Sequence, residues 1–265
     1  MKLQISRGKF IKISTVAMAG TFMNDLAIAG STVLNVEKNM LDDQLMKKLI
    51  LHNDLRVKRI LDEEQVKPEN HQSSFRRLAV IMSCFSGSLC NPGSEFYKSQ
   101  KLIILLEQVL DIMLNAQYDY GTLDSGGNRQ SPPDTGFILE HLCSAGIVLN
   151  RLEYPDLLKV KNKLEKFIKN AAVAMVTGGV HTPNHRWVIC SALSQINALF
   201  PDIKYVNRID EWLSEGIYIN EDGHFPERSG NYSAVVDRTL MIVARMLNRP
   251  ELLDPVRKDL TTYYF

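Results

Sequence analysis

Apolar residues recur at three- and four-residue spacing through most of this chain, and stretches of alternating Val, Ile and Thr are few. An α-helix turns once every 3.6 residues, so this spacing gathers apolar side chains onto one stripe of each segment, and that stripe must be buried against another helix. The predicted class is all-α. The pattern places helices near 41–61, 72–84, 96–116, 134–150, 155–176, 183–199, 204–216 and 231–248, and a further one begins near Asp254. With 265 residues, 45% of them hydrophobic, the chain can bury a core without relying on disulfides.

Short connections such as Leu152-Glu153-Tyr154 and Phe200-Pro201-Asp202 imply antiparallel neighbours. The connections 117–133, 177–182 and 218–230 are longer and rich in Gly, Pro, Asn, Asp and His. In an up-down array every second connection lies on the same rim. These three loops, and the starts of the helices 134–150, 183–199 and 231–248, therefore share one. Polar loops gathered on one face of a scaffold are where binding and catalysis concentrate. The charge balance, 31 Lys+Arg against 30 Asp+Glu, gives no basis for a general nucleic-acid or acidic-membrane binder.

The N-terminus has a basic head (Lys2, Arg7, Lys9, Lys12), a mainly apolar middle and a small-residue end at Ala27-Ile28-Ala29. These are the three parts of an export signal, so residues 1–29 are read as one and the mature chain as periplasmic or secreted. Ser6-Arg7-Gly8-Lys9-Phe10 resembles a twin-arginine signal whose second Arg has become Gly. Asn24 and Asp25 interrupt the apolar run, and no integral membrane segment is expected in the mature chain. Cys84 and Cys90 flank Phe85-Ser86-Gly87-Ser88-Leu89, a turn-like segment that allows a local disulfide, whereas Cys143 and Cys190 read as buried thiols. No Cys/His spacing fits a zinc site, and neither metal nor cofactor is expected.

Two rim loops carry most of the chemistry. In Gly178-Gly179-Val180-His181-Thr182-Pro183-Asn184-His185-Arg186-Trp187, Thr182 suits an N-cap and Pro183 the first helical position, which puts Asn184 and His185 in the opening turn. The positive end of the helix dipole disfavours imidazolium, so His185 is expected to be neutral and able to accept a proton. In Asn220-Glu221-Asp222-Gly223-His224-Phe225-Pro226-Glu227-Arg228-Ser229-Gly230-Asn231-Tyr232, Ser229 suits the cap of the helix that carries Tyr232. Helices two apart run the same way, so Tyr232 and His185 are expected to face one cleft. Glu227 is read first as a partner of loop amides. The third loop offers Asn128 and Arg129, the latter suited to a bidentate carboxylate contact, while Asp134 reads as a cap. Tyr118, Tyr120 and Trp187 suit either sugar stacking or plain packing.

Asn184-His185 followed by Asp222-Gly223, Glu227, Ser229 and Tyr232 resembles the catalytic region of heparinase II/III-like polysaccharide lyases, including alginate lyases of that architecture, over about 177–250. The resemblance implies an (α/α) toroid that binds an acidic polysaccharide in a cleft and cleaves it by β-elimination at a uronic acid, with no nucleotide cofactor. It implies that Asn184 helps neutralise the uronate carboxylate and that His185 assists or accepts the C5 proton. Tyr232 would then act as base, or as acid toward the leaving O4. Arg129, Arg186, Trp187, Asn128 and Glu227 are the expected substrate contacts. The predicted helices fall short of six pairs, so the toroid over 30–265 is expected to be small or incomplete. No room remains before Phe265 for the family's β-rich domain, and the chain reads as the N-terminal part of a longer protein. Two other readings stay open: a glycoside hydrolase using Asp124, Asp222 or Glu227, and a carbohydrate-binding remnant without turnover.

Overall fold

The computed structural model describes residues 43–63, 74–227 and 229–264, and the export signal read at 1–29 lies outside them. Among the described residues the fold is all-α, built from α1 (Asp43–Asp62), α2 (Phe75–Leu89), α3 (Gln100–Ala116), α4 (Pro132–Arg151), α5 (Leu158–Thr177), α6 (Pro183–Leu199), α7 (Ile203–Ser214), α8 (Gly230–Met246) and α9 (Leu253–Tyr264). None of these helices is long and apolar enough to cross a membrane. Short 3-10 turns at Pro155–Leu157 and Pro250–Leu252 lead into α5 and α9.

The helices form two layers. In the inner one α2 packs on α4, α4 on α6 and α6 on α8, while α3, α5 and α7 pack behind them. Because α6 has neighbours on both sides and behind, every residue from Trp187 to Ile196 is buried, and its sequence is apolar or small nearly all round. Glu140 of α4 pairs with Arg238 of α8 at 2.6 Å, which ties together the two helices that flank α6.

One expectation is corrected at the end of α2. The segment 85–89 is no turn: α2 runs through it to Leu89, with Cys90 at the C-cap. Ser86 and Ser88 are tolerated there because the surrounding packing encloses them, and Ser88 Oγ donates to the buried Asp54 at 2.6 Å. Six helical positions rise roughly 9 Å, beyond the reach of a disulfide. Cys84 and Cys90 are free thiols, and burial pushes Cys90 up to about 11. Asp54 also accepts from Ser94 Oγ and the Glu95 amide, which fastens α1 to the α2–α3 connection.

The first rim loop is anchored on α5. Gln117 Nε2 donates to the carbonyls of Gly121 (2.9 Å) and Phe167 (3.1 Å). Gly121 adopts φ +89°, and a side chain there would collide with the Asn170 carbonyl. Only glycine satisfies both conditions.

At the other end of the row, Asp237 of α8 faces Asp259 of α9, and both are buried. Asp259 accepts from Ser233 Oγ at 3.3 Å and from the Phe225 amide, and His224 Nδ1 stands 3.9 Å from the same oxygen. Two carboxylates so placed cannot both ionise. Burial, then the Asp259 charge, pushes Asp237 up to about 8, and burial raises Asp259 as well. An unfolded Asp loses its proton near pH 4. The folded chain therefore holds an extra proton between that pH and about 8, and stability falls as pH rises through this window. From pH 6 to 9 the expected loss is about 2–3 kcal/mol, a Tm lower by roughly 5–10 °C. In thermal unfolding Asp237→Asn, a neutral isostere, should flatten this slope and raise Tm at pH 8. A slope that survives the substitution would assign it to other groups.

Candidate active site

The starts of α2, α4, α6 and α8 meet along one rim. At the start of α4, Ser131 is the N-cap and Pro132 and Pro133 open the helix, where a missing amide proton costs nothing. Asp134, the third helical residue, is 3% exposed. It accepts hydrogen bonds from Asn128 Nδ2 (2.8 Å), Ser131 Oγ (2.7 Å) and Arg76 Nη2. The cap is thus Ser131, not Asp134, and Asp134 ties the loop to α2. Arg76, in the first turn of α2, lays its guanidinium over the Phe137 ring at 4.4 Å.

Phe137 in turn meets His185 edge-on at 6.0 Å between centroids, and His181 packs on the far side of His185 at the same distance. The imidazole of His185 is half-buried, and its Nδ1 has no hydrogen-bond partner among the described residues. Burial lowers its pKa, opposed by Asp134 and reinforced by His181 and Arg76. The shift favours the neutral ring, and its main cause is desolvation, where the sequence alone points to the helix dipole.

The Asn184 amide donates to Glu227 Oε1 at 3.3 Å, which draws the start of α8 against the start of α6 and sets a carboxylate at the positive end of α6. The Asn184 side chain is buried, and its Oδ1 accepts from Thr182 Oγ1 at 2.6 Å. Thr182 and Ser229 occupy the N-cap positions, but neither hydroxyl makes a capping hydrogen bond. Tyr232 stands in the first turn of α8 with half its surface exposed.

The other expected contacts divide. Arg129 is 89% exposed as a side chain and 4.0 Å from Asp124. Asn128 spends its amide on Asp134. Arg186 turns away to Glu215 at 2.7 Å. Trp187 is 3% exposed within the core, which corrects the stacking role: the position after Arg186 points between the helices and offers no ring face to a sugar. Tyr118 donates to Asp124 at 3.1 Å, and Tyr120 bonds Thr177. Glu227 accepts from a backbone amide, but one in the first turn of α6 and not in a loop.

Arg76, Phe137 and His181 were not singled out from the sequence. The signal for Arg76 lay in the alternation itself: if the starts of α4, α6 and α8 share a rim, so does the start of α2. Among the described residues no cluster of three His, Cys, Asp or Glu side chains is arranged to hold a metal ion. A groove of about 420 Å³ between the end of α7 and the start of α9, walled by Leu213, Ile219 and Leu252, includes none of Arg76, Asp134, Phe137, His185 and Tyr232. No family model, curated protein or solved structure matches this chain.

Proposed function

We propose that this chain is an exported polysaccharide lyase that cleaves a uronate-containing glycan by β-elimination. The observation that carries the reading is His185, a neutral imidazole half-buried on the rim where the starts of four helices converge. It is joined through the Asn184–Glu227 bond to the helix that presents Tyr232. A proton acceptor and a phenol on one rim suit removal of a proton next to a carboxylate. In the reaction the base takes the C5 proton, its electron pair forms the C4–C5 double bond, and the C4–O4 bond breaks with O4 taking up a proton. His185 lowers the cost of the charge that develops on the carboxylate or accepts the C5 proton, Tyr232 exchanges a proton with C5 or O4 according to the sugar's stereochemistry, and Asn184, whose side chain is buried against Thr182, supports the site from beneath instead of meeting the carboxylate as expected. The carboxylates a hydrolase would need each have a partner: Asp124 accepts from the Gln130 backbone amide, Asp222 from the Asn220 side chain and Glu227 from the Asn184 backbone amide at the start of α6. Export rests on residues 1–29 of the sequence.

The test is ultraviolet absorbance of the 4,5-unsaturated product over heparan, alginate and plant glucuronans. Absorbance that develops with chain cleavage supports elimination. Cleavage without it would install hydrolysis instead, and binding without cleavage the carbohydrate-binding reading. The same assay tests His185. The acidic limb of kcat/KM reports the free protein, and with the ring's pKa lowered by burial it is expected below the ordinary histidine value of about 6.5. A limb at or above that value would remove His185 as the neutral acceptor.

A further inference from the structure

Among the described rim cations, Arg76 is held by two neighbours at once. Nη2 is held by the buried Asp134, Cζ lies 4.4 Å from the Phe137 centroid, and that ring contacts His185 edge-on. The side chain nevertheless keeps 42% of its surface exposed. Its Nε–H is buried, so a guanidinium held over a ring and pinned at Nη2 presents only its outer Nη N–H groups, with little rotamer entropy left to lose on binding. Asp134 is itself tied down by Asn128 and Ser131, so the support under Arg76 is rigid.

Position gives this cation its meaning. The carboxylate of a uronic acid is attached to the carbon that loses its proton, so the receivers of the two must sit side by side. Arg76 and His185 lie against the same phenylalanine, and the Arg76 charge acts on the imidazole. Two other described cations of the region do not meet this condition. Arg129 projects into solvent, and Arg186 is paired with Glu215.

Resting on the elimination reading, we infer that Arg76 binds the uronate carboxylate of the sugar whose C5 proton is removed, with Asp134 as its positioning residue. The site thereby selects acidic over neutral glycans, and the charge that grows on the carboxylate during proton removal meets a fixed cation.

The experiment uses the full chain carrying His185→Ala, to stop turnover, and measures equilibrium binding of alginate and glucuronan oligosaccharides and of their carboxyl-reduced forms. Arg76→Gln is expected to weaken binding of the acidic oligosaccharides at least tenfold while leaving the weak binding of the reduced forms within twofold. Arg76→Lys, which keeps the charge facing Asp134 and hence the fold, should fall between the two. Lys204→Gln, at the exposed start of α7 beside the Phe200-Pro201-Asp202 turn, should bind like the parent. Equal binding of the acidic oligosaccharides by the parent and both Arg76 variants would overturn the inference, and absorbance of the unsaturated product from the unaltered chain would show that the elimination reading survives it. A parent that binds no uronate, together with no absorbance from the unaltered chain, would overturn both.

Discussion

Asp134→Ala is expected to lower stability by about 3 kcal/mol, a fall in Tm of roughly 6–12 °C. The carboxylate is buried and accepts from three side chains, so its loss strands the Asn128 amide, the Ser131 hydroxyl and one edge of Arg76. It also removes a negative charge from the first turn of α4, where the helix dipole favours one. The figure stays below the extreme for a broken buried ion pair because Arg76 is half in water and can rehydrate. Asp134→Asn, which keeps the shape and one acceptor, should lose less than half as much. Thermal or urea unfolding of the two variants checks this, and a loss under 1 kcal/mol for alanine would mean that solvent replaces the carboxylate at no great cost.

Tyr232→Phe is expected to lower the rate of elimination by 10²–10⁴-fold, the usual range for removing a positioned acid or base, with KM nearly unchanged. The fold should not notice. The ring is half exposed at the start of α8, and its hydroxyl makes no hydrogen bond to the described residues, so Tm should move by no more than about 2 °C. That separation of activity from stability is what distinguishes a reacting phenol from an aromatic cap. Initial rates of product absorbance decide it, and a decrease of less than threefold would withdraw the phenol from the mechanism.

The helices were largely legible because their signals are local. Pro183 at the first position of α6, the apolar stripe behind it and the Phe200-Pro201-Asp202 stop place that helix within a residue of its observed bounds. Where the reading slipped, a local signal was outweighed by distant packing. Ser86-Gly87-Ser88 reads as a turn, yet α1 covers it, Asn53 and Asp54 bond Ser88, and the helix continues. The site was legible in part. The opening turn of α6 could be read as carrying His185, but not the burial that lowers its pKa, and Arg76 required counting one rim position further back.

By itself, the sequence determined which segments are helical, their order and, through strict alternation, which helix starts lie on one rim, since 3.6-residue periodicity and capping chemistry act over a few neighbouring residues. Tertiary structure alone decided which polar groups are already engaged and which face solvent. Asp134 is taken up by Arg76, Glu227 by the Asn184 amide and Arg186 by Glu215, while Asp237 is left facing Asp259. Those partnerships join residues 22 to 58 positions apart, and they depend on how the helices pack, which no local pattern encodes.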